Sequence, residues 1–214
     1  MFKIRLMAFV VLIAANIFPA AAQSDNVFAP ERIGRWYMGG AIGGYKEQNN
    51  SQLSNQDGTA GFSISGGYRV AHNISVEVDT LFSHQDIDTP TTIPAPFVGA
   101  LNSRADLVTS GVGGLVKLIL PMGRAELYAG AGLGLYNTRL RVEGTVLNTF
   151  TEVREDDAGV GYQGLLGADF FVSRRISVGL EYRKFKLDAD FGSLVPGKLD
   201  MGGDFFFATV RGHF

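Results

Sequence analysis

Eight stretches of the chain alternate between apolar and polar side chains at every second position. In the last stretch, Phe206, Ala208 and Val210 share one face, while Thr209 and Arg211 share the other. A period of two is typical of a β-strand whose faces meet different surroundings. The pattern predicts strands over residues 36–45, 59–69, 74–82, 104–120, 125–136, 159–172, 176–183 and 201–214.

The connections between these stretches alternate in length. The short ones are turns around residues 71–73, 121–123 and 173–175. The long ones are polar and run over residues 46–58, 83–103, 137–157 and 187–200. Membrane barrels keep short turns at one end and long loops at the other. The sequence therefore predicts an all-β fold, an eight-stranded antiparallel up-and-down transmembrane β-barrel.

A soluble barrel of the lipocalin type is the structural alternative, because its strands also alternate, with the apolar face inward. Three features favour lipid around the outside. The loop lengths alternate, the last residue is the aromatic Phe214, and glycines share the polar face with charged residues. Glycines and charges suit a narrow, crowded lumen better than a surface in water.

The N-terminal segment carries features of export. A basic start precedes a short apolar run, and Ala20 and Ala22 form an A-x-A site before Gln23. This arrangement predicts a secretory signal peptide over residues 1–22, cleaved before Gln23. The other segments that we expect are a periplasmic lead-in and the barrel itself, over residues 23–35 and 36–214.

Composition excludes several classes of site. Without the two basic residues of the predicted signal peptide, 17 of the 19 basic residues remain against 21 acidic ones. The formal charge is then −4, so nucleic acid is not an expected partner. The chain has no cysteine, which excludes disulfides and thiolate metal sites. Glycine supplies 28 of the 214 residues, which disfavours helices and fits crowded strands.

The polar face carries charged side chains that the alternation places inside the barrel. They are Arg69, Glu77, Asp79, Lys117, Glu126, Asp169, Glu181, Arg183 and Arg211. An eight-stranded barrel is only just wide enough for its own side chains, and stranding one buried charge costs about 3–5 kcal/mol. The sequence therefore predicts a salt-bridged network that holds the barrel closed. The alternative is a gate that opens a thin ion path when the pairs exchange.

Several short motifs carry a family resemblance. They are Trp36–Gly40 in the first strand, Gly66–Arg69 before a short turn, Tyr128–Gly132 in the fifth strand, and the terminal Phe214. With these motifs the chain resembles the small eight-stranded outer-membrane barrels, the OmpA/OmpX-like group with its opacity-protein and porin-family relatives. The resemblance implies the outer membrane of a Gram-negative bacterium, with both termini in the periplasm. It also implies that Phe214 is the signal read by the barrel-assembly machinery.

Other candidate chemistry lacks the context that it needs. Residues 159–164 match G-x-G-x-x-G but lie inside an alternating strand, without the helix of a dinucleotide site. His84, Asp86 and Asp88 would share a face if the third strand continued, and a divalent cation is the hypothesis there or at Glu155, Asp156 and Asp157. Ser83 and His84 stand near the predicted rim, but neighbours on a strand point to opposite faces. We expect no catalytic residue, no metal site and no cofactor.

The sequence leads to one main expectation of function and to rivals from other classes. We expect a monomeric structural and surface protein that supports envelope integrity and makes contacts through its long loops. The expected partners are outer-membrane lipid and lipopolysaccharide, the barrel-assembly machinery, and host or phage molecules. The alternatives are a narrow ion-conducting pore, a lipid A-modifying enzyme of the outer membrane, and a soluble ligand-binding barrel.

Overall fold

The computed structural model describes residues 34–47, 60–88, 101–146, 149–190, 198–200 and 202–214. The strands in this part of the chain are β1 (Trp36–Glu47), β2 (Ala60–Ala71), β3 (Ile74–Asp88), β4 (Leu101–Met122), β5 (Ala125–Val146), β6 (Thr149–Phe171), β7 (Ile176–Asp190), β8 (Lys198–Asp200) and β9 (Gly203–His213). Among the described residues, no helix has the length and apolar character needed to cross a membrane.

Eight of these strands form a closed antiparallel ring. From β1 to β7 each strand pairs with the next, β7 then pairs with β9, and β9 pairs with β1. The closing ladder places Tyr37 opposite His213 at one end and Gly43 opposite Phe207 further along. The short β8 forms a separate ladder with the end of β7, through Asp188 opposite Asp200. The predicted eight-stranded barrel is confirmed.

Alternating burial gives the wall of the barrel two different faces. Along β9, Phe205, Phe207 and Thr209 are buried, whereas Phe206 and Val210 expose 60% and 56% of their surface. The other strands show the same alternation, with large apolar side chains on the exposed face. Each residue that is inside on one strand lies opposite a residue that is inside on its neighbour, because pairing in register keeps the faces aligned.

The exposed apolar side chains form a belt around the barrel. On β5 the belt runs from Leu127, which exposes 44% of its surface, to Leu135, which exposes 71%. At about 3.3 Å per residue and a tilt of about 40°, this stretch rises about 20 Å, close to the apolar band of membrane barrels. A monomer in water does not expose such a continuous apolar surface. The apolar face therefore points to lipid, and the soluble alternative is wrong.

Aromatic pairs mark both edges of this belt. At one edge the rings of Trp36 and Tyr68 lie 4.9 Å apart between their centroids. At the other edge Tyr182 and Phe206 lie 5.1 Å apart, and the Tyr182 hydroxyl donates a hydrogen bond of 2.7 Å to Asp204. Aromatic girdles at the two membrane interfaces are typical of such barrels. Beyond Tyr182 and Phe206 the outward side chains become polar.

Three tight turns lie at one end of the barrel, which we call the short-turn end. Gly123, between β4 and β5, has a φ of 65°, a conformation that glycine adopts without strain. Between β6 and β7, the Ser173 hydroxyl accepts hydrogen bonds from the backbone N–H groups of Arg175 at 3.2 Å and Ile176 at 3.1 Å. Local hydrogen bonds between a side chain and the backbone stabilise a tight turn, so a few residues are enough to reverse the chain direction.

The expected long loops are partly wrong, because the strands continue through much of them. β5 and β6 remain paired as far as Val146 opposite Thr149, so most of the expected loop over residues 137–157 is a hairpin. β3 also continues to Asp88, and β7 to Asp190. The polar composition of these residues indicates a loop, because a strand that stands in water has no apolar outer face. Arg139 pairs with Asp156 directly across the hairpin at 2.6 Å, and such pairs stabilise exposed sheets.

Tyrosine rings fill the space above glycines on neighbouring strands inside the barrel. Tyr37 lies directly opposite Gly67, and Tyr128 lies directly opposite Gly167. A Cβ atom added to either glycine would overlap the facing tyrosine ring. These glycines are therefore needed for packing, because only a residue without a side chain leaves room for the ring.

Candidate functional site

The interior charge network is the site that the sequence singled out. The structure places all nine of its side chains inside the barrel, each with no more than 6% of its surface exposed. They belong to seven of the ring strands, because every strand except β1 supplies at least one charged residue to the lumen. Charges this deep must pair with each other, since the bilayer and the packed lumen offer them little water.

Glu181 on β7 is the centre of the network. Its Oε1 atom accepts hydrogen bonds from Arg183, at 3.1 Å from Nε and 2.7 Å from Nη2. Its Oε2 atom accepts from Arg211 Nη2 at 2.9 Å and from the Tyr128 hydroxyl at 3.1 Å. The Lys117 ammonium lies 3.7 Å from the same oxygen. One carboxylate therefore joins three cations from three different strands.

Arg183 carries the network across the lumen. Its Nη1 atom donates to Asp79 Oδ2 and, at 3.0 Å, to Gln163 Oε1. Gln163 in turn donates from Nε2 to Asp79 Oδ1 at 3.0 Å. β3, which carries Asp79, and β7, which carries Arg183, lie four places apart in the ring in either direction. This ion pair therefore joins opposite walls of the barrel.

Two further branches leave Glu181 on other strands. Arg211 on β9 donates from Nη1 to both carboxylate oxygens of Asp169 on β6. Lys117 on β4 donates to Glu77 Oε2 at 2.7 Å, and the Tyr37 hydroxyl donates to the same oxygen at 2.8 Å. Seven of the nine predicted residues are thus joined in one connected network, in which every residue is held by at least one charged hydrogen bond.

Arg69 and Glu126 form a separate pair nearer the short-turn end. Arg69 Nη1 donates to Glu126 Oε1 at 2.7 Å. Its Nε and Nη2 atoms donate to the backbone carbonyl of His72, at 3.0 Å and 2.6 Å. This pair ties the turn between β2 and β3 to the start of β5, so it fixes the geometry of the barrel mouth.

Above the charges, toward the end with the long connections, apolar side chains fill the lumen. We call this group the apolar layer, and it consists of Leu81, Phe185, Leu187, Phe205 and Phe207, each no more than 3% exposed. The rings of Phe205 and Phe207 stack with centroids 5.3 Å apart. The Phe207 ring also lies 5.6 Å from the Arg183 guanidinium carbon, which joins this layer to the charge network.

Sequence reasoning missed the apolar layer, although the signal was present. Phe207 and Phe205 lie two and four residues before Thr209, which the alternation assigns to the inner face. Leu81 likewise lies two residues after Asp79. The same parity that placed the charges inside also places these residues inside. The prediction omits these residues because it places apolar side chains only on the outer face.

The remaining candidate residues are not brought together. Ser83 is buried in the lumen and His84 is exposed on the outer face, so the two do not form a catalytic pair. Residues 159–164 lie inside β6. The side chains of Asp86 and Asp88 lie outside the described residues, and the residues that are described contain no group of three His, Asp or Glu side chains placed to bind a metal.

Phe214 lies at the lipid-facing end of β9, next to the start of β1. Phe214 exposes 71% of its surface on the lipid side, and its backbone N–H donates to the Trp36 carbonyl at 2.9 Å. The predicted cleavage site, with Ala20, Ala22 and Gln23, lies outside the described residues. The signal peptide and the lead-in therefore stay predictions.

A closed ring of strands, an exposed apolar belt and a paired interior together define a membrane-spanning β-barrel protein. The chain matches the family described as outer membrane protein beta-barrel domain over residues 8–214. It therefore belongs to this family, and the expected resemblance to small outer-membrane barrels is confirmed. The family places the protein in the cell outer membrane. Comparison with curated proteins gives no significant match.

Solved structures with similar folds come from several bacteria. Neisserial surface protein A is 17% identical, with a TM-score of 0.52 over 85% of this chain and 97% of that one. OprG from Pseudomonas aeruginosa is 11% identical, with a TM-score of 0.53 over 88% and 99%. Ail from Yersinia pestis, in complex with the heparin analogue sucrose octasulfate, is 12% identical, with a TM-score of 0.50 over 85% and 99%. At these identities the likeness shows the fold alone.

Proposed function

We propose that this protein is a closed surface barrel, which supports the integrity of the outer membrane and presents one wall for contacts outside the cell. The short-turn end and both termini lie in the periplasm, and the long connections lie outside. This orientation is supported by the general arrangement of outer-membrane barrels, which keep short turns in the periplasm. The closed lumen is supported by the ion pair between Asp79 and Arg183 and by the apolar layer above it.

The observation that carries the surface role is the unequal height of the barrel wall. β6 pairs with β7 only from Gly161 onward, so residues 149–160 pair with β5 alone. We call residues 137–146 and 149–160 the projecting wall. Twelve residues of strand extend about 40 Å along the chain, which at a tilt of about 40° is a rise of about 30 Å beyond the apolar belt. This hairpin, with which β4 also pairs as far as Leu101 opposite Thr145, holds its side chains away from the membrane, where other molecules reach them.

The outward face of the projecting wall is charged and follows directly above the lipid-facing belt. Arg141 Nε lies 2.9 Å from Glu152, and Arg139 is paired with Asp156. Lipopolysaccharide carries phosphates at this height, and because exposed ion pairs contribute about 1 kcal/mol or less, these arginines can exchange a carboxylate for a phosphate. Lipopolysaccharide is therefore the first partner to test. A sulfated sugar, the ligand class in the Ail complex, is a second class to test, together with host and phage molecules.

Epitope insertions test the orientation. A short epitope between Val146 and Thr149 should bind antibody on intact cells, because it extends the projecting wall. The same epitope after Gly123, in a short turn, should bind antibody only after the outer membrane is permeabilised. The reverse labelling pattern would overturn the orientation without affecting the fold.

A shortened hairpin tests the surface role. Replacing residues 140–155 by Asn-Gly closes a two-residue hairpin from the Arg139–Asp156 pair and keeps the pairing of β5 and β6 below it, while residues 101–107 of β4 lose their partners on β5. A strain that lacks the protein should take up a large antibiotic several-fold faster than the wild-type strain. Expression of the wild-type protein in that strain should restore the permeability barrier of the outer membrane. The shortened protein should fold but retain several-fold less lipopolysaccharide through purification. Equal retention by both proteins would show that the projecting wall is not the contact surface.

We also propose that the barrel is a monomer and that Phe214 is the signal for its assembly. An aromatic side chain at the end of β9, exposed to lipid, suits recognition by the barrel-assembly machinery. Replacing Phe214 by Ser should lower the fraction of folded barrel in the membrane several-fold. Phe206→Ser, on the same face of the same strand, is the control and should have a smaller effect. Equal effects would mean that general lipid contact, and not a terminal signal, governs assembly.

A further inference from the structure

A cavity lies at the short-turn end, between the charge network and the mouth of the barrel. It offers about 40 Å³ to the centres of water molecules. A single water needs about 10–15 Å³ on this measure, so the cavity has room for roughly three waters or one small oxyanion. Phe171 and Ile119 form part of its wall, and apolar walls strengthen the electrostatic interactions inside a site.

The side chains around this cavity are mainly basic. Five are cations, namely Arg35, Arg69, Lys117, Arg174 and Arg211. Against them stand two carboxylates, Glu126 and Asp169, and a neighbouring imidazole, His213. Three of the cations are already paired, Arg69 with Glu126, Lys117 with Glu77 and Arg211 with Asp169. The surplus positive charge therefore belongs to the other two.

Arg35 and Arg174 are these two cations. Neither guanidinium has a hydrogen-bonding or ion-pair partner among the residues that the structure describes, and both are exposed at the mouth. Arg35 precedes β1, and Arg174 lies in the turn before β7, so they flank the end of β9 between those strands. Both arginines line the same cavity, and a guanidinium group binds phosphate with two parallel hydrogen bonds.

The depth of the site identifies the source of the phosphate. Arg35 directly precedes Trp36, which is 64% exposed and belongs to the aromatic pair at the edge of the apolar belt. Arg174 comes two residues before Ile176, which is also exposed on the belt. Aromatic girdles lie at the membrane interface, so the next residues outward stand at the level of the lipid headgroups.

We propose that this cavity is a phosphate site, in which Arg35 and Arg174 bind the phosphate of a phospholipid headgroup. The bound lipid lies across the end of β9 and joins the start of β1 to the turn between β6 and β7. The bound lipid belongs to the periplasmic leaflet, and this assignment rests on the orientation of the barrel proposed above. Binding of phosphate by the purified protein does not rest on it, so the two proposals fail separately.

The test uses the full-length folded barrel in a neutral glycoside detergent that contains no phosphate. Titration calorimetry with inorganic phosphate should give one saturable site. The double variant Arg35→Gln/Arg174→Gln should lose at least tenfold in affinity. Arg175→Gln is the matched control, because this arginine lies in the same turn and does not line the cavity; its affinity should stay within twofold of the wild type. Gel migration with and without heating verifies that each variant is folded.

A second arm distinguishes a lipid headgroup from a free phosphate ester. Native mass spectrometry after addition of phosphatidylglycerol should show one retained lipid on the wild type, which inorganic phosphate displaces and which the double variant lacks. If phosphate binds but no lipid is retained, the phospholipid source is wrong. If phosphate fails to bind the wild type, binds the double variant equally well, or is lost equally with Arg175→Gln, the site itself is wrong.

Discussion

Asp79 and Arg183 face each other from opposite walls of the barrel, four strands apart in either direction, and bond directly across the lumen. No stretch of local sequence brings them together, since 104 residues separate them. Gln163 binds both partners and holds the pair in place. The pair therefore acts as a strut, a direct connection between the two walls, and its loss should destabilise the whole ring.

Replacing Asp79 by Asn should lower the free energy of unfolding by about 3 kcal/mol, because it leaves the buried Arg183 without its partner from the opposite wall. The double variant Asp79→Asn/Arg183→Gln should lose less than the sum of the two single variants, since the two residues are in contact. Urea unfolding of the refolded barrel measures both quantities. Asp156→Asn, in the exposed pair with Arg139, is the control and should cost less than about 1 kcal/mol. Strict additivity in the first pair would contradict the strut.

Glycine packing gives a second prediction. Gly167→Ala should cost about 1–3 kcal/mol, because the added methyl group overlaps the Tyr128 ring and the crowded lumen gives way only with strain. Gly66→Ala is a matched control on β2, where a Cβ atom would meet nothing within 4 Å. It should change the unfolding free energy by no more than about 0.5 kcal/mol. Equal losses at the two positions would mean that strand flexibility, and not the tyrosine ring, explains the glycine.

The position of the bilayer can be measured by the cost of a charge at two heights on β5. Ala131 is exposed at the middle of the apolar belt, whereas Asn137 is exposed just above Leu135. Ala131→Arg should destabilise the barrel by about 2–4 kcal/mol in lipid vesicles, and Asn137→Arg by about 1 kcal/mol or less. A larger penalty at Asn137 would move the membrane toward the projecting wall.

Because the lumen is closed, the protein should conduct no ions across a planar bilayer. Wild-type protein should give no conductance steps, because ions meet the paired charges and then the apolar layer. Arg183→Gln alone should also stay silent, since Phe205 and Phe207 still fill the lumen. Adding Phe205→Ala and Phe207→Ala to it should produce steps. Steps from the wild type that change size with Arg183→Gln would favour the ion-conducting alternative instead.

The sequence predicted the ring because period-two alternation survives wherever lipid meets one face and side chains meet the other. The parity of Ser75, Glu77 and Asp79 on β3 was enough to place the charges, since one wrong step would have put all three into lipid. The alternation did not predict how these charges pair. Which carboxylate meets which cation depends on the tilt of the strands and on closure of the ring, and a single strand contains neither.

Two stretches show why the rest could not be predicted from alternation. Residues 205–207 are three consecutive phenylalanines, so hydrophobicity alone does not mark which of them turn inward. On β5 beyond residue 137 the alternation reverses, with Leu140 and Val142 buried and Arg139 exposed, because above the membrane the outer face no longer meets lipid. A search for strands with apolar outer faces therefore misses this part of the hairpin, although its period of two continues.

The strut between β3 and β7 has a consequence for the order in which the molecule forms. A hairpin, or even the sheet from β1 to β6, contains Asp79 without Arg183, so an unfinished sheet keeps its charges in water. Only when β9 joins β7 to β1 do the two walls face each other and the water leave. Most of the ion pairs inside the barrel therefore form only when the final strand pairs. A chain without that strand lacks their stabilisation and should not remain folded in the membrane.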